Sequence, residues 1–190
     1  MHYKTLATSA SFFAALGEMD REYAFECRER PCEHCDGGRL HQAHFERKGF
    51  GYGLPDGVGD EVTIRYSFCC GREDCRKRMT PESLRFRPQE PYLAITFILV
   101  SAFHYGLTDK RFEQAAKVTS VSRSTLDRWL KWWREVFPSS EAWRRLRGMR
   151  FVPANALDNA PAFLLTAFDE PGRELEDAII LMLKSFSRSK

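Results

Sequence analysis

Four cysteines in two short groups are the residues of this sequence best suited to chemistry. Cys32 and Cys35 form a Cys-x2-Cys pair, and Cys70 and Cys75 form a second pair with four residues between them. Four thiolates at these spacings satisfy tetrahedral Zn2+, and a site closed by four protein ligands is structural rather than catalytic. The sequence therefore predicts a structural zinc ion and no reaction at the metal.

The ligand set has alternatives, because Cys69 competes with Cys70 for the same place. We favour Cys70, since it continues the alternation of a predicted strand through Phe68. Three histidines near the two groups could also replace a thiolate: His34, His41 and His44.

A second chemical feature lies at residues 109–137, which fit a helix-turn-helix. Ser122 is a good N-cap for the second helix, and Leu126 and Leu130 supply its buried face. In this motif the N-terminal residues of the second helix meet base edges in the major groove, and basic residues hold phosphates. The residues predicted to contact DNA from this helix are Arg123, Ser124, Thr125, Arg128 and Lys131.

The distribution of charge favours a nucleic-acid partner. The whole chain has a net charge of only +3, but residues 109–150 carry 11 Lys and Arg against 5 Asp and Glu. A local surplus of this kind attracts a phosphate backbone. Basic residues that follow the second cysteine pair are predicted to hold phosphates as well: Arg76, Lys77, Arg78, Arg85 and Arg87.

The elements that must position these residues are of mixed type. Residues 6–30 show helical spacing of apolar side chains with Ser9 or Ser11 as the cap, and residues 61–68 alternate like a half-buried strand. Prolines make residues 151–171 irregular. Further helices are predicted at about 91–105, 109–118, 122–137, 140–147 and 173–186. The predicted fold class is therefore α+β.

We expect three regions along the chain. An N-terminal helical segment at 1–30 precedes a zinc-ribbon β-domain at 31–88, and an all-α domain at 89–190 contains the helix-turn-helix. No secretory signal is visible, and the longest apolar run, Leu93 to Phe103, is shorter than the ~20 residues that a membrane span needs. A cytoplasmic protein with reduced thiols and no membrane partner is the expectation.

Enzyme signatures are incomplete. His44-Phe-Glu46 and the first cysteine pair are the two halves of a zinc-deaminase signature, but they stand in reversed order. An HNH-type nuclease needs a central asparagine, and the only asparagines, Asn155 and Asn159, are remote from the histidines near the cysteines. We therefore predict no catalytic residues and no enzymatic activity.

The cysteine groups and the helix-turn-helix together resemble the N-terminal part of bacterial insertion-sequence transposases of the zinc-ribbon type. The motifs that carry the resemblance are Cys32-x2-Cys35, Tyr66-Ser-Phe-Cys-Cys70, Cys75-Arg-Lys-Arg78 and the stretch from Val121 to Trp133. It covers about residues 31–137 and implies binding of duplex DNA. Such transposases continue into an RNase-H-like catalytic domain, whereas only about fifty residues follow Pro138 here. The resemblance therefore implies DNA recognition without strand transfer.

The resulting hypothesis is a zinc-stabilised protein that binds double-stranded DNA, as a transposase-like accessory or a transcriptional regulator. A separate subunit of a DNA-processing complex is a further expected partner. The alternative is a protein–protein adaptor that uses the zinc ribbon and an aromatic helical surface. The tryptophans of that surface are Trp129, Trp132, Trp133 and Trp143.

Overall fold

The fold combines helices with two small antiparallel sheets, as expected for an α+β protein. The computed structural model describes residues 9–35, 37–47, 59–86, 108–110, 112–113, 122–149, 160–168, 171–172 and 174–187. The helix predicted at 91–105 and the turn of the predicted helix-turn-helix lie outside these residues. Of the helix predicted at 109–118, only 109–110 and 112–113 are described, and they are helical. Within the described chain, no helix has both the length and the apolar character needed to cross a membrane.

The first helix, α1, spans Ala10–Glu29 and confirms the helix predicted at 6–30 over its described part. Ser9 is the N-cap, and its hydroxyl accepts a hydrogen bond from the backbone N–H of Phe12 at 3.2 Å. The helix ends at Glu29, because a proline such as Pro31 disfavours helical backbone at the position before it.

Five short strands follow: β1 (Leu40–Gln42), β2 (Phe45–Glu46), β3 (Ile64–Arg65), β4 (Phe68–Cys70) and β5 (Arg78–Met79). They form a three-stranded sheet in the order β1-β4-β5 and a two-stranded sheet of β2 and β3. We call residues 31–47 and 59–86, as far as they are described, the cysteine module.

The prediction of one strand over 61–68 is wrong. Residues Asp60–Thr63 form a 3-10 helix, β3 belongs to the two-stranded sheet, and β4 belongs to the other sheet. The chain changes sheets at Ser67, whose backbone N–H donates to Nδ1 of His44 at 3.1 Å instead of to a neighbouring strand. A side chain that takes up a strand's backbone donor in this way interrupts the ladder.

After the helical residues at 109–110 and 112–113 comes α2 (Arg123–Lys131), which continues into a π-helical turn at Trp132–Val136 and a 3-10 turn at Phe137–Ser139. Helices α3 (Glu141–Met149), α4 (Ala160–Phe168) and α5 (Leu175–Ser187) follow. The helices predicted at 140–147 and 173–186 are thereby confirmed.

Helix α4 contradicts the prediction that 151–171 is irregular. Pro161 is the second residue of this helix. A proline in the first turn removes only an N–H that has no partner within the helix, so it does not prevent helix formation.

Two buried clusters share helix α1. The larger one contains Phe12 and Leu16 of α1, Leu84, and apolar residues of α3, α4, α5 and the turns after α2, among them Trp133. The smaller one contains Ala24, further along α1, together with apolar and cysteine residues of the cysteine module. The helix is therefore part of both cores.

Candidate metal centre and basic surfaces

The four predicted cysteines lie together, and one ligand atom from each falls within 4.8 Å of the others. Cys32 Sγ is 3.8 Å from Cys75 Sγ, and Cys35 Sγ is 3.6 Å from Cys70 Sγ. A tetrahedron with metal–sulfur bonds of ~2.3 Å has sulfur–sulfur edges of about 3.8 Å. The cluster therefore has the size and the donor set of a four-thiolate zinc site, and each of its two close contacts joins one cysteine of each pair.

The first pair is held by a tight turn that two glycines permit. The backbone N–H of Cys32 donates to the carbonyl of Gly38 at 3.0 Å, and that of Gly37 donates to the carbonyl of Cys35 at 2.8 Å. Gly37 has φ +78°, which favours glycine. At Gly38 an added Cβ would stand 3.0 Å from Cys35 Sγ and would overlap Cys70 Sγ. No other residue type can occupy position 38 without moving the sulfurs.

The second pair lies on strand β4 and the turn after it. The backbone N–H of Cys70 donates to the carbonyl of Lys77 at 2.9 Å, and that of Cys75 donates to the carbonyl of Arg72 at 3.1 Å. Cys70 is fully buried, whereas Cys69 points away from the cluster and its thiol donates to the carbonyl of Arg76 at 3.2 Å. Strand alternation thus selects Cys70, as the sequence predicted.

Backbone groups around the sulfurs favour thiolates. A backbone hydrogen bond from His34 to the sulfur is the main cause that lowers the pKa of Cys32. The pKa of Cys35 is raised to about 12, chiefly by burial, although a backbone hydrogen bond from Gly38 opposes the rise. Removing the proton from Cys35 requires a cation beside it, and a divalent ion among the four sulfurs supplies that charge.

The three histidines weighed as ligands do not join the cluster, which consists of the four cysteines. His34 is exposed. The ring of His41 lies against Gly71, where an added Cβ would stand 2.5 Å from Nε2. His44 packs edge-on against Tyr66, and its Nδ1 accepts a hydrogen bond from the backbone N–H of Ser67.

Arg85 is a correction to the predicted phosphate contacts. Its side chain is only 1% exposed, and Nε donates to Oδ2 of Asp20 at 2.8 Å. The second carboxylate oxygen of Asp20 accepts from the backbone N–H of Leu84 at 2.6 Å, and the hydroxyl of Ser83 also donates to Oδ2. A guanidinium held inside the protein in this way cannot reach a phosphate.

This ion pair was not predicted, although the sequence carries a signal for it. Asp20 stands four residues after Leu16 and four before Ala24, which places a carboxylate on the buried stripe of α1. A charge on such a stripe requires a buried partner. Arg65 is a second buried arginine of this region, and burial lowers its pKa.

The other residues predicted to contact DNA lie on two surfaces, as far as they are described. Arg76, Lys77 and Arg78 are exposed on the cysteine module, whereas Arg87 lies outside the described residues. On α2, Arg123, Ser124, Arg128 and Lys131 are exposed and Thr125 is half-buried.

The start of α2 is fixed by its cap and by an ion pair. Ser122 accepts a hydrogen bond from the backbone N–H of Thr125 at 3.3 Å. Arg123 donates to Asp109 at 2.6 Å, and its guanidinium lies 5.4 Å from the ring centre of Phe112. Residues of the segment before α2 therefore position the first arginine of the helix.

Comparison with protein-family models, with curated proteins and with solved structures finds no match for this chain.

Proposed function

We propose that this protein is a zinc-stabilised DNA-binding protein, a transposase-like accessory or a transcriptional regulator, that recognises duplex DNA through α2. The observation that supports this most directly is the two-sided character of the helix. Leu126 and Trp129 are buried, while the opposite side exposes Arg123, Arg128 and Lys131. In a helix-turn-helix one side of the second helix packs on the domain and the other enters the major groove.

The chemistry of the exposed side fits this role. Arginine can read guanine through two hydrogen bonds, and serine and threonine serve bases or phosphates. The amino end of a capped helix also carries partial positive charge, which attracts phosphate. Arg123 and Ser124 stand at that end of α2, directly after the cap at Ser122.

The metal has a structural part in this proposal. Cys32, Cys35, Cys70 and Cys75 would hold Zn2+ with no position left for water or substrate, so the ion supplies folding energy rather than catalysis. We describe the module that results as a zinc ribbon, with two sulfur-bearing turns joined by β1, β4 and β5.

The adaptor alternative loses its main support. It requires an aromatic surface for a partner, but Trp129, Trp133 and Trp143 are each at most 5% exposed and Trp132 is half-buried. Three of the four rings are thus part of the protein's own core and offer no docking surface in this fold.

The decisive experiment is selection of bound duplexes from a random pool by the zinc-loaded protein, followed by sequencing and by affinity measurements on the enriched site. Arg123→Ala with Arg128→Ala should remove the enrichment and weaken binding at least tenfold, since each base contact contributes ~1–3 kcal/mol. The matched control removes the same charge elsewhere, with Arg21→Ala and Arg28→Ala on the exposed side of α1. A pool without enrichment, or equal losses in both double variants, would refute the proposal.

A further inference from the structure

The exposed face of the three-stranded sheet carries a row of polar side chains. The strand register places His41 opposite Cys69 and Cys69 opposite Arg78, while the neighbouring positions Cys70 and Phe68 point into the buried cluster. His41 and Arg78 are exposed, and Cys69 is half-buried. This row belongs to neither the metal site nor the α2 surface.

An aromatic ring lies beside the row. Phe45 on β2 is 43% exposed, a high fraction for a large apolar side chain. The guanidinium of Arg78 lies 5.5 Å from the centre of its ring. The same arginine donates to the carbonyl of Ala43 at 3.4 Å and to the hydroxyl of Ser67 at 3.2 Å. Its position next to the ring is therefore fixed before any ligand arrives.

The segment that carries Cys69 and Arg78 is mainly basic. Residues 69–78 contain four basic and two acidic residues, and one of the acidic ones, Asp74, is paired with Arg72. Arg39, two residues before His41, and Arg76, two residues before Arg78, are exposed as well. The face thus combines one accessible ring with several cations.

Arg76 gives an independent indication that a side chain is needed here. It has φ +46°, a left-handed conformation that glycine adopts without strain and arginine does not. Among the described residues it is the one non-glycine with positive φ. A strained position that holds an exposed cation suggests that the cation has a use in binding.

We propose that this face, defined by Phe45, His41, Arg78, Arg76 and Arg39, binds single-stranded nucleic acid, with one unpaired base stacked on Phe45. A base stacks on an aromatic ring whatever its sequence, and adjacent cations hold the strand's phosphates. A regular duplex keeps its bases inside the helix and cannot offer one to the ring. The inference rests on the proposed function only in that the ligand is a nucleic acid.

The test measures binding of a labelled oligothymidine of about 12 nucleotides to zinc-loaded full-length protein by fluorescence anisotropy. Phe45→Ala should weaken binding by ~5- to 150-fold, the range found when a stacked aromatic side chain is removed. Phe45→Trp should retain it. The matched control is Phe25→Ala, because Phe25 on α1 is 65% exposed and lies outside this face. Equal affinity of the Phe45→Ala variant and the unmodified protein would overturn the inference.

A second comparison needs no variant and so does not depend on Phe45→Ala folding normally. An abasic strand of the same length keeps every phosphate but has no base to stack. The unmodified protein should bind it more weakly than oligothymidine. Equal binding of both strands by the unmodified protein would show attraction by charge alone and would refute the stacking site.

Salt dependence and the duplex separate this inference from the proposed function. If Arg39, Arg76 and Arg78 each neutralise one phosphate, the slope of log K against log salt should be about −2.1 for a single strand, and Arg76→Gly should reduce its magnitude by about 0.7. Phe45→Ala should leave binding of the selected duplex unchanged. Duplex binding without base-dependent single-strand binding would refute only the present inference, and the reverse result would refute only the role of α2.

Discussion

Replacing Asp20 with asparagine should lower the free energy of unfolding more than substitution of any exposed charged residue would. The carboxylate is fully buried and accepts hydrogen bonds from Arg85, Ser83 and Leu84. The asparagine amide keeps the shape, but it removes the negative charge that Asp20 sets against Arg85, which is 1% exposed, and it offers a donor where two donors already point. Breaking a buried pair from one side costs ~3–5 kcal/mol.

That cost is large beside the ~5–15 kcal/mol by which native proteins are stable. In urea unfolding of the zinc-saturated protein, followed by tryptophan fluorescence, the midpoint should fall by about a fifth or more. The melting temperature should fall by about 6 to 20 °C for a chain of this size. The tryptophans are suitable reporters, because Trp133 and Trp143 are buried in the cluster that also contains Phe12 and Leu16 of α1.

A control on the same helix isolates burial as the cause. Glu26 and Arg30 form an ion pair at 3.7 Å in which both side chains are 62% exposed, so Glu26→Gln should cost less than ~0.5 kcal/mol. Replacing both buried partners, with Asp20→Leu and Arg85→Met, should recover most of the stability that Asp20→Asn loses. The reasoning is refuted if Asp20→Asn costs no more than Glu26→Gln. It is also refuted if the effect of Asp20→Asn disappears in about 1 M salt, a concentration that screens exposed charges almost completely.

Three further outcomes follow from the same structure. Gly38→Ala should abolish stoichiometric zinc binding, measured by metal analysis, because its Cβ would overlap the sulfur cluster, whereas Gly148→Ala, with nothing within 4 Å, should bind zinc normally. Burial raises the pKa of Cys35 to about 12, so zinc must displace its proton, and chelator competition should show affinity rising at least ~10-fold per pH unit between about 6 and 8; a flat profile would contradict this. Asp109→Ala should tighten binding of the selected duplex ~2- to 5-fold, since it frees Arg123 from an exposed ion pair worth up to ~1 kcal/mol; unchanged or weaker binding in an electrophoretic shift would contradict this expectation.

Elements with a strong local signal were predictable from the sequence. Helix α1 carries a capping serine, an apolar repeat and a terminating proline, and its bounds differ from the prediction by a few residues. The choice of Cys70 over Cys69 followed from alternation with Phe68, because a two-residue period assigns neighbouring side chains to opposite faces. Such signals depend on a few adjacent residues and survive tertiary packing.

Features decided by distant contacts were not predictable. The break in the predicted strand depends on His44, which lies more than twenty residues before the backbone group that it binds. Arg85 looked like one more cation in a basic stretch, and only its pairing with Asp20, 65 residues earlier, shows that it is buried. The sequence supplies the charge of a residue, whereas its accessibility follows from contacts that the fold creates.

Helix α1 connects the candidate metal centre with the helical core. Its first half packs with Trp133 and the later helices, its second half packs against the cysteine cluster, and Asp20 between them binds the segment at 83–85. A helix of 20 residues is a nearly rigid rod of about 30 Å. The orientation of the cysteine module against the helical core is therefore set by contacts distributed along one element. An ion that folds the module would thereby hold the exposed sheet face and the helical core in one arrangement, although it contacts neither. It would influence nucleic-acid binding by fixing the relative orientation of these two surfaces.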